Sequence, residues 1–164
     1  FKKMANPLQQ TKDVFKKRNQ FEELELKEFS ILFLAMNNLD IFRKNIELIS
    51  ELNFLNYDKN EFKKQLINYL LSENYFSKKI LDIEDFDIKF KNIINLINTN
   101  APIKIISKKK NEEEIIFIFH EIVDEIKKIE LQKRIEQLEN KVSLNLDENL
   151  YSELLLLRNQ LKGG

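Results

Sequence analysis

A long stretch near the end of the chain constrains the fold more than any other feature. Asn111 precedes three glutamates, residues 112–114. The asparagine side chain can accept a free backbone N–H, and the three carboxylates would lie at the positive end of a helix dipole. No glycine or proline follows before Lys141. The sequence therefore predicts a single helix from Asn111 to about Lys141.

The apolar residues of this helix change face partway along it. A first stripe contains Ile115, Phe119, Ile122, Ile126 and Ile129, and a second contains Leu131, Ile135, Leu138 and Val142. At about 100° per residue, the two stripes lie on nearly opposite faces. One helix is therefore predicted to pack against two different surfaces.

The last predicted helix supplies the second of these surfaces. Asp147 is a suitable N-cap, and leucines recur after it at helical spacing. Only a short turn separates this helix from Val142, so the two helices should form an antiparallel hairpin. The predicted seam consists of Leu131, Ile135, Leu138 and Val142 on the long helix and Leu150, Leu154, Leu157 and Leu161 on the last helix.

The rest of the chain also shows helical periodicity. Residues 23–129 are predicted to form a bundle around a buried helix over 23–36, with a connector at 100–110. The hairpin occupies residues 130–164. Residues 1–22 are basic, lack a clean apolar period and contain a proline, which predicts a linker or tail with at most a short helix. The expected fold is all-α: a helical bundle joined by a long helix to a C-terminal antiparallel hairpin.

Helix starts within the bundle are predicted from capping residues. Asp40 is expected to cap a helix that runs to about Leu52, and Ser77 a short one. Asp58, with Glu61 three residues later, resembles a capping box. A fifth helix is expected from the regular spacing of Phe86, Phe90, Ile93 and Ile97.

The composition excludes several kinds of chemistry. Without cysteine there is no disulfide, thiolate zinc site or thiol nucleophile. Glycine occurs only at Gly163 and Gly164, which excludes a glycine-rich phosphate loop. His120 is the single histidine, so a histidine-rich metal cage cannot form. These limits favour a helical protein that binds partners over an enzyme.

Three short motifs resemble known sites, and each is better explained by an ordinary structural role. The sequence at His120 resembles the H-E-x-x-H zinc helix, but Asp124 stands where the second histidine should be. The acids at 82, 84, 85 and 87 lack the glycine of a calcium loop and are interpreted as helix-start acids. Lysines 108–110 are interpreted as a solvated turn rather than a phosphate-binding patch.

No segment is predicted to enter a membrane. The longest apolar stretch, residues 29–36, has eight residues, whereas a spanning helix needs about 20. Nothing resembles a signal peptide, and the first residue is Phe1. We therefore expect a fragment of a longer cytoplasmic protein.

Two parts of the chain together resemble a known family. Residues 134–142, 145–150 and 153–161 form a helix, a short turn with an acidic cap and a Leu-rich helix. Residues 28–42 look like a Leu-rich opening helix, a polar corner and the next helix. In this order they resemble the C-terminal helicase-binding domain of bacterial DNA primase, in which the corner is commonly His-Pro rather than two asparagines.

The resemblance implies a non-catalytic role in DNA replication. In this family the hairpin docks on the N-terminal domain of the replicative DNA helicase and recruits primase to the fork for primer synthesis, and the bundle modulates the helicase. The zinc-binding and RNA-polymerase (nucleotidyltransferase) domains lie upstream. Zinc and magnesium are therefore expected only there, and no cofactor in this chain. Nucleic acid contact should be weak or indirect, with no membrane and no small-molecule substrate.

The candidate partner-binding face lies on the last helix. Tyr151, Leu155, Arg158 and Lys162 fall together about 100° from the hairpin seam. They are interpreted as a surface for the helicase, although Leu155 could instead pack sideways on the bundle. Other functions stay open: a helicase N-terminal domain or helicase loader, a homodimerising helical adaptor, or an enzyme that uses the acids at 82–87 with magnesium.

Overall fold

The computed structural model describes residues 9–72, 80–81, 83–108, 110–144 and 147–163. All regular structure in these residues is helical, which confirms the all-α prediction. Short 3₁₀ turns at Ile83–Asp85 and Ile88–Phe90 precede α5. The α-helices in the described part are α1 (Gln9–Asn37), α2 (Leu39–Lys44), α3 (Ile46–Glu51), α4 (Tyr57–Leu71), α5 (Lys91–Asn100), α6 (Ile103–Ser107), α7 (Glu112–Leu144) and α8 (Glu148–Gly163).

Helix α1 is longer than predicted and forms the centre of the molecule. It begins at Gln9, so the predicted linker over residues 1–22 is wrong from Gln9 onward; residues 1–8 lie outside the described part. Between Gln9 and Asn37 the sequence has no glycine or proline and is rich in Gln, Lys, Glu and Leu, which are good helix formers. Residues 28–36 are buried on every face of the helix.

A large apolar cluster, here called the first core, surrounds this part of α1. It receives residues from all helices from α1 to α7. The rings of Phe42 and Phe119 meet edge to face with centroids 4.8 Å apart, which ties α2 to α7. The predicted first stripe of α7 needs one correction, because Val123 is fully buried and Ile122 is only half-buried at the edge of the core.

Asparagine side chains, more than aspartates, set the helix ends between α1 and α4. The predicted cap at Asp40 is wrong, because α2 begins one residue earlier and Asp40 lies in its first turn. The single helix expected here is two helices, divided at Asn45, whose amide donates to the Ile41 carbonyl at 2.8 Å. The side chain of Asn56, rather than Asp58, caps α4 by accepting the Asp58 N–H at 2.7 Å.

The segment before α7 also differs from the prediction. The fifth helix begins at Lys91 instead of Phe86, because 3₁₀ turns occupy the preceding residues. Residues 103–107 of the predicted connector form α6, which Pro102 can begin because its fixed φ suits a helix start. The short helix predicted from Ser77 falls outside the described residues.

The starts of the last two helices confirm the predicted caps. Asn111 Oδ1 accepts the Glu114 N–H at 2.9 Å, and Glu114 Oε2 accepts the Asn111 N–H at 3.1 Å. This reciprocal pair is a capping box. Asp147 Oδ1 accepts the Asn149 N–H at 2.8 Å at the start of α8. Helix α7 continues to Leu144, slightly beyond the predicted end.

A second, smaller apolar cluster joins the end of α7 to α8. Ile129 is the last residue of α7 in the first core, and Leu131 begins the second core. We call residues 131–144 of α7, together with α8, the hairpin. The second core contains buried Ile135, Leu138, Leu154 and Leu157, with half-buried Leu131, Val142, Leu150 and Leu161 packed against them.

Candidate partner-binding face

Two ion pairs cross the hairpin and flank its seam. Arg134 Nη2 lies 2.5 Å from Glu153 Oε1, and Arg158 Nη2 lies 2.7 Å from Glu139 Oε1. At about 100° per residue, Glu153 and Arg158 fall on opposite sides of the leucine row of α8. Exposed pairs of this kind contribute about 0–1 kcal/mol each, so their main effect is on side-chain placement. The apolar seam itself holds the hairpin.

The predicted face of α8 exposes two large apolar side chains. Tyr151 is 51% exposed and Leu155 is 43% exposed, and neither belongs to the first or the second core. Leu155 is thus an exposed side chain outside the first core, which disfavours the alternative in which it packs on the bundle. Because the residues lie four apart, they are neighbours on one side of the helix. Together they form an apolar strip that the hairpin does not need for its own packing.

The cationic part of the face is arranged differently from the prediction. Arg158 donates through both Nε and Nη2 to Glu139, at 3.3 Å and 2.7 Å. Its guanidinium is thus held along the hairpin edge and does not extend freely towards a partner. Lys162 is exposed in the last turn of α8. The face therefore consists of an apolar strip bordered by an Arg–Glu pair and one exposed lysine.

Charge is graded along this face. Asp147 and Glu148 lie beside Tyr151 at the turn and line a shallow hollow with it. Arg158 and Lys162 lie at the opposite end of α8. A partner would thus meet negative charge near the turn, apolar side chains in the middle and positive charge near the end of the helix.

Sequence reasoning missed three exposed or paired residues of the hairpin. Leu156 is exposed on a different side of α8, and Leu144 is exposed at the end of α7. Both lie off the helical spacing of the seam residues, so their exposure could have been predicted from the sequence. Glu139 was missed because its pairing with Arg158 joins residues 19 apart and depends on how the two helices face each other.

The other motifs form no obvious reaction centre in the described part of the chain. His120 is half-buried beside Phe119, and Asp124 is exposed. In this part no group of three His, Asp or Glu side chains is placed to hold a metal ion. Asp82 and Lys109 lie outside it. Lys110 pairs with Glu114 at 2.6 Å and so belongs to the start of α7.

Comparison with known proteins gives no relative. No family model matches the chain, and no curated protein or solved structure matches it. None of the described helices is long and apolar enough to cross a membrane. Any assignment of function therefore depends on the residues of the hairpin and on the resemblance of the sequence to a family.

Proposed function

We propose that this chain is the non-catalytic, helicase-binding part of a bacterial DNA primase. The hairpin docks on the N-terminal domain of the replicative DNA helicase and brings the primase to the fork for primer synthesis. The bundle modulates the helicase, and the reaction itself belongs to upstream domains of a longer cytoplasmic protein. The observation that carries the proposal is the exposed Tyr151–Leu155 strip on a hairpin whose seam is already complete.

The completeness of the seam explains why the strip points to a partner. Eight apolar residues already occupy the contact between α7 and α8, and Tyr151 and Leu155 are not among them. Exposure of one leucine is ordinary, but two adjacent large apolar groups on one helix side suit packing against a groove of a helical partner. Tyrosine also supplies more interface energy than most residue types.

The Arg158–Glu139 pair gives the interface a fixed edge. In a complex it would lie at the border of the buried area, where charged groups steer orientation more than they add affinity. Lys162 at the end of α8 would favour an acidic patch on the helicase at the same end. The complementary surface is thus an apolar groove between helices with acidic residues at one end.

The proposal is tested by calorimetric titration of the full chain into the N-terminal domain of the replicative helicase from the same genome. The double variant Tyr151→Ala/Leu155→Ala should weaken binding at least about tenfold, since each change removes about 1–3 kcal/mol. Leu156→Ala is the matched control, because Leu156 is an exposed leucine on another side of α8. It should leave the affinity unchanged.

Two results would contradict the proposal. The first is the absence of binding by the wild-type chain. The second is a mass that rises with concentration in sedimentation and falls back in the double variant, since this would assign the strip to a homodimerising adaptor. The gene upstream of this segment should also encode a cysteine-rich zinc module and a polymerase core.

A further inference from the structure

The guanidinium of Arg158 uses only one of its edges within the hairpin. Its Nε and Nη2 atoms both donate to Glu139 Oε1, at 3.3 Å and 2.7 Å. A guanidinium carries further N–H donors on Nη1 and on the outer side of Nη2, all in one plane. In the described part of the chain no residue accepts a hydrogen bond from Nη1. We call this outer Nη1–Nη2 end of Arg158 the fork.

The fork belongs to the same side of α8 as the apolar strip. Tyr151, Leu155 and Arg158 follow one another at spacings of four and three residues, so they form one row along the helix. The Arg158 side chain keeps 47% of its surface exposed although it is paired. A partner seated on the strip would therefore meet Arg158 as the next group along α8.

The second ion pair of the hairpin has a different geometry. Arg134 contacts Glu153 at 2.5 Å through Nη2, which is the tip of its guanidinium, whereas Arg158 contacts Glu139 through its Nε side. Because Glu153 and Arg158 fall on opposite sides of the leucine row, the Arg134 pair lies away from the strip. Arg134 is thus a matched control for Arg158.

A carboxylate is the group that fits the fork. Its two oxygens can each accept one hydrogen bond from Nη1 and Nη2, and this bidentate contact fixes orientation as well as charge. A lysine ammonium offers only a point charge at the same place. A nucleic acid phosphate would also fit two parallel donors. The acids at the other end of the strip, Asp147 and Glu148, repel a phosphate backbone, so the page of charges on this face favours a protein carboxylate.

Glu139 places the fork before a partner arrives. An arginine side chain loses much rotational freedom when it is immobilised on binding, and a bond made beforehand reduces that loss. Glu139 lies on α7, outside the row on α8, so it acts through Arg158 rather than by touching the partner. Its negative charge does not attract a carboxylate, which makes placement of Arg158 its one favourable effect on binding.

We propose that Glu139 is a positioning residue that holds Arg158 for bidentate binding of one carboxylate on the helicase N-terminal domain. The inference rests on the proposed function for its partner, and it specifies which chemical group of that partner Arg158 binds. The placement of Arg158 by Glu139 is a property of the free chain and is measured without helicase.

Nuclear magnetic resonance of the full chain measures this placement. The chain has four arginines, so few Nε–H signals are expected, and Arg158→Lys identifies the signal of Arg158 by removing it. The heteronuclear NOE of this signal should be high in wild type and in Glu139→Gln, which keeps an acceptor oxygen. It should fall in Glu139→Ala, which has no acceptor. An equally high or equally low NOE in wild type and Glu139→Ala would overturn the positioning role.

Calorimetric titration into the helicase N-terminal domain measures the fork. Arg158→Lys keeps the charge and should weaken binding about fivefold, because a point charge replaces two parallel donors. Arg134→Lys is the control on the other side of the seam and should leave the affinity unchanged. Glu139→Ala should bind about two- to tenfold more weakly than Glu139→Gln, since both lack the charge and only glutamine keeps the acceptor.

The outcomes separate this inference from the proposed function. If the wild-type chain does not bind the helicase, the proposed function is wrong and the helicase carboxylate with it, whereas the NOE still decides the role of Glu139. If wild type binds and Arg158→Lys binds equally well, the function stands and the fork is wrong. Binding of single-stranded DNA that is lost in Arg158→Gln would also overturn the inference, because the fork would then take a phosphate.

Discussion

Helix α7 contributes residues to both the first core and the hairpin, yet these two regions are stabilised very differently. The first core surrounds residues 28–36 of α1 on every side and draws on seven helices. The hairpin has four buried residues and four half-buried ones along a single seam. Isolated pairs of short helices are marginal in water, so the hairpin should open locally far more often than the bundle. A helical hairpin of low local stability can thus be carried by a stable bundle.

The largest expected effect is on the first core. Phe119→Ala should lower the free energy of unfolding of the bundle by about 3–5 kcal/mol, because it removes a fully buried ring that packs against Phe42. Urea unfolding followed by circular dichroism measures it. Ile122→Ala is the matched comparison on the same helix and should cost clearly less, since Ile122 is half-buried. Equal losses would contradict the assignment of Val123, rather than Ile122, to the core.

A smaller and more local effect is expected in the hairpin. Leu138→Ala should lower the free energy of local opening of the hairpin by about 2–4 kcal/mol. A contact between only two helices does not remain closed after a loss of this size. Amide hydrogen exchange should therefore accelerate along α8, while the amides of residues 28–36 keep their protection. If Leu138→Ala and Phe119→Ala accelerate exchange across the whole described chain alike, the bundle and hairpin form one cooperative unit and the comparison fails.

The contrast between the two regions also shows what the sequence can predict. The two stripes of α7 and the caps at Asn111 and Asp147 depend on spacings of only two to four residues along the chain. Periodicity and capping chemistry therefore predicted them, with Ile122 the one exception. The start of α1 at Gln9 was missed because a basic segment without a clean apolar stripe looks like a linker, although every residue in it tolerates a helix.

Contacts between distant residues could not be predicted in the same way. Glu28 and Lys59 are 31 residues apart, and each looks like a surface residue in the sequence. Only the packing of α1 against α4 brings them together out of water. The same holds for Arg158 and Glu139 on the candidate face. The four candidate residues could be placed on one side of α8 from the sequence, but the ion pair that holds Arg158 could not be predicted.

Exposed ion pairs should contribute least to the stability of the hairpin. Glu153→Gln removes the carboxylate that faces Arg134 and should cost no more than about 1 kcal/mol, because both side chains are well exposed. Local exchange rates in α8 at low and high salt measure the effect, which salt should reduce. A loss as large as that of Leu138→Ala would mean that charge, rather than the apolar seam, holds the hairpin.

The smallest expected effect is the pH dependence of stability that comes from Glu130. This residue lies between Ile129 of the first core and Leu131 of the second core. Burial raises the pKa of Glu130 above its ordinary value of 4.5, with the Asn53 N–H and Lys133 opposing the rise. The folded chain therefore holds this proton more tightly than the unfolded chain, so protonation of Glu130 adds stability as the pH falls through the window above 4.5. Glu130→Gln cannot bind this proton. The difference in free energy of unfolding between wild type and Glu130→Gln therefore cancels most of the pH dependence from other titrating groups, including Glu114, whose pKa is lowered. From pH 7 towards pH 5, wild type should gain up to about 1 kcal/mol relative to Glu130→Gln in urea unfolding. A relative loss over the same range would mean that the favourable interactions of the Glu130 carboxylate outweigh the cost of its burial.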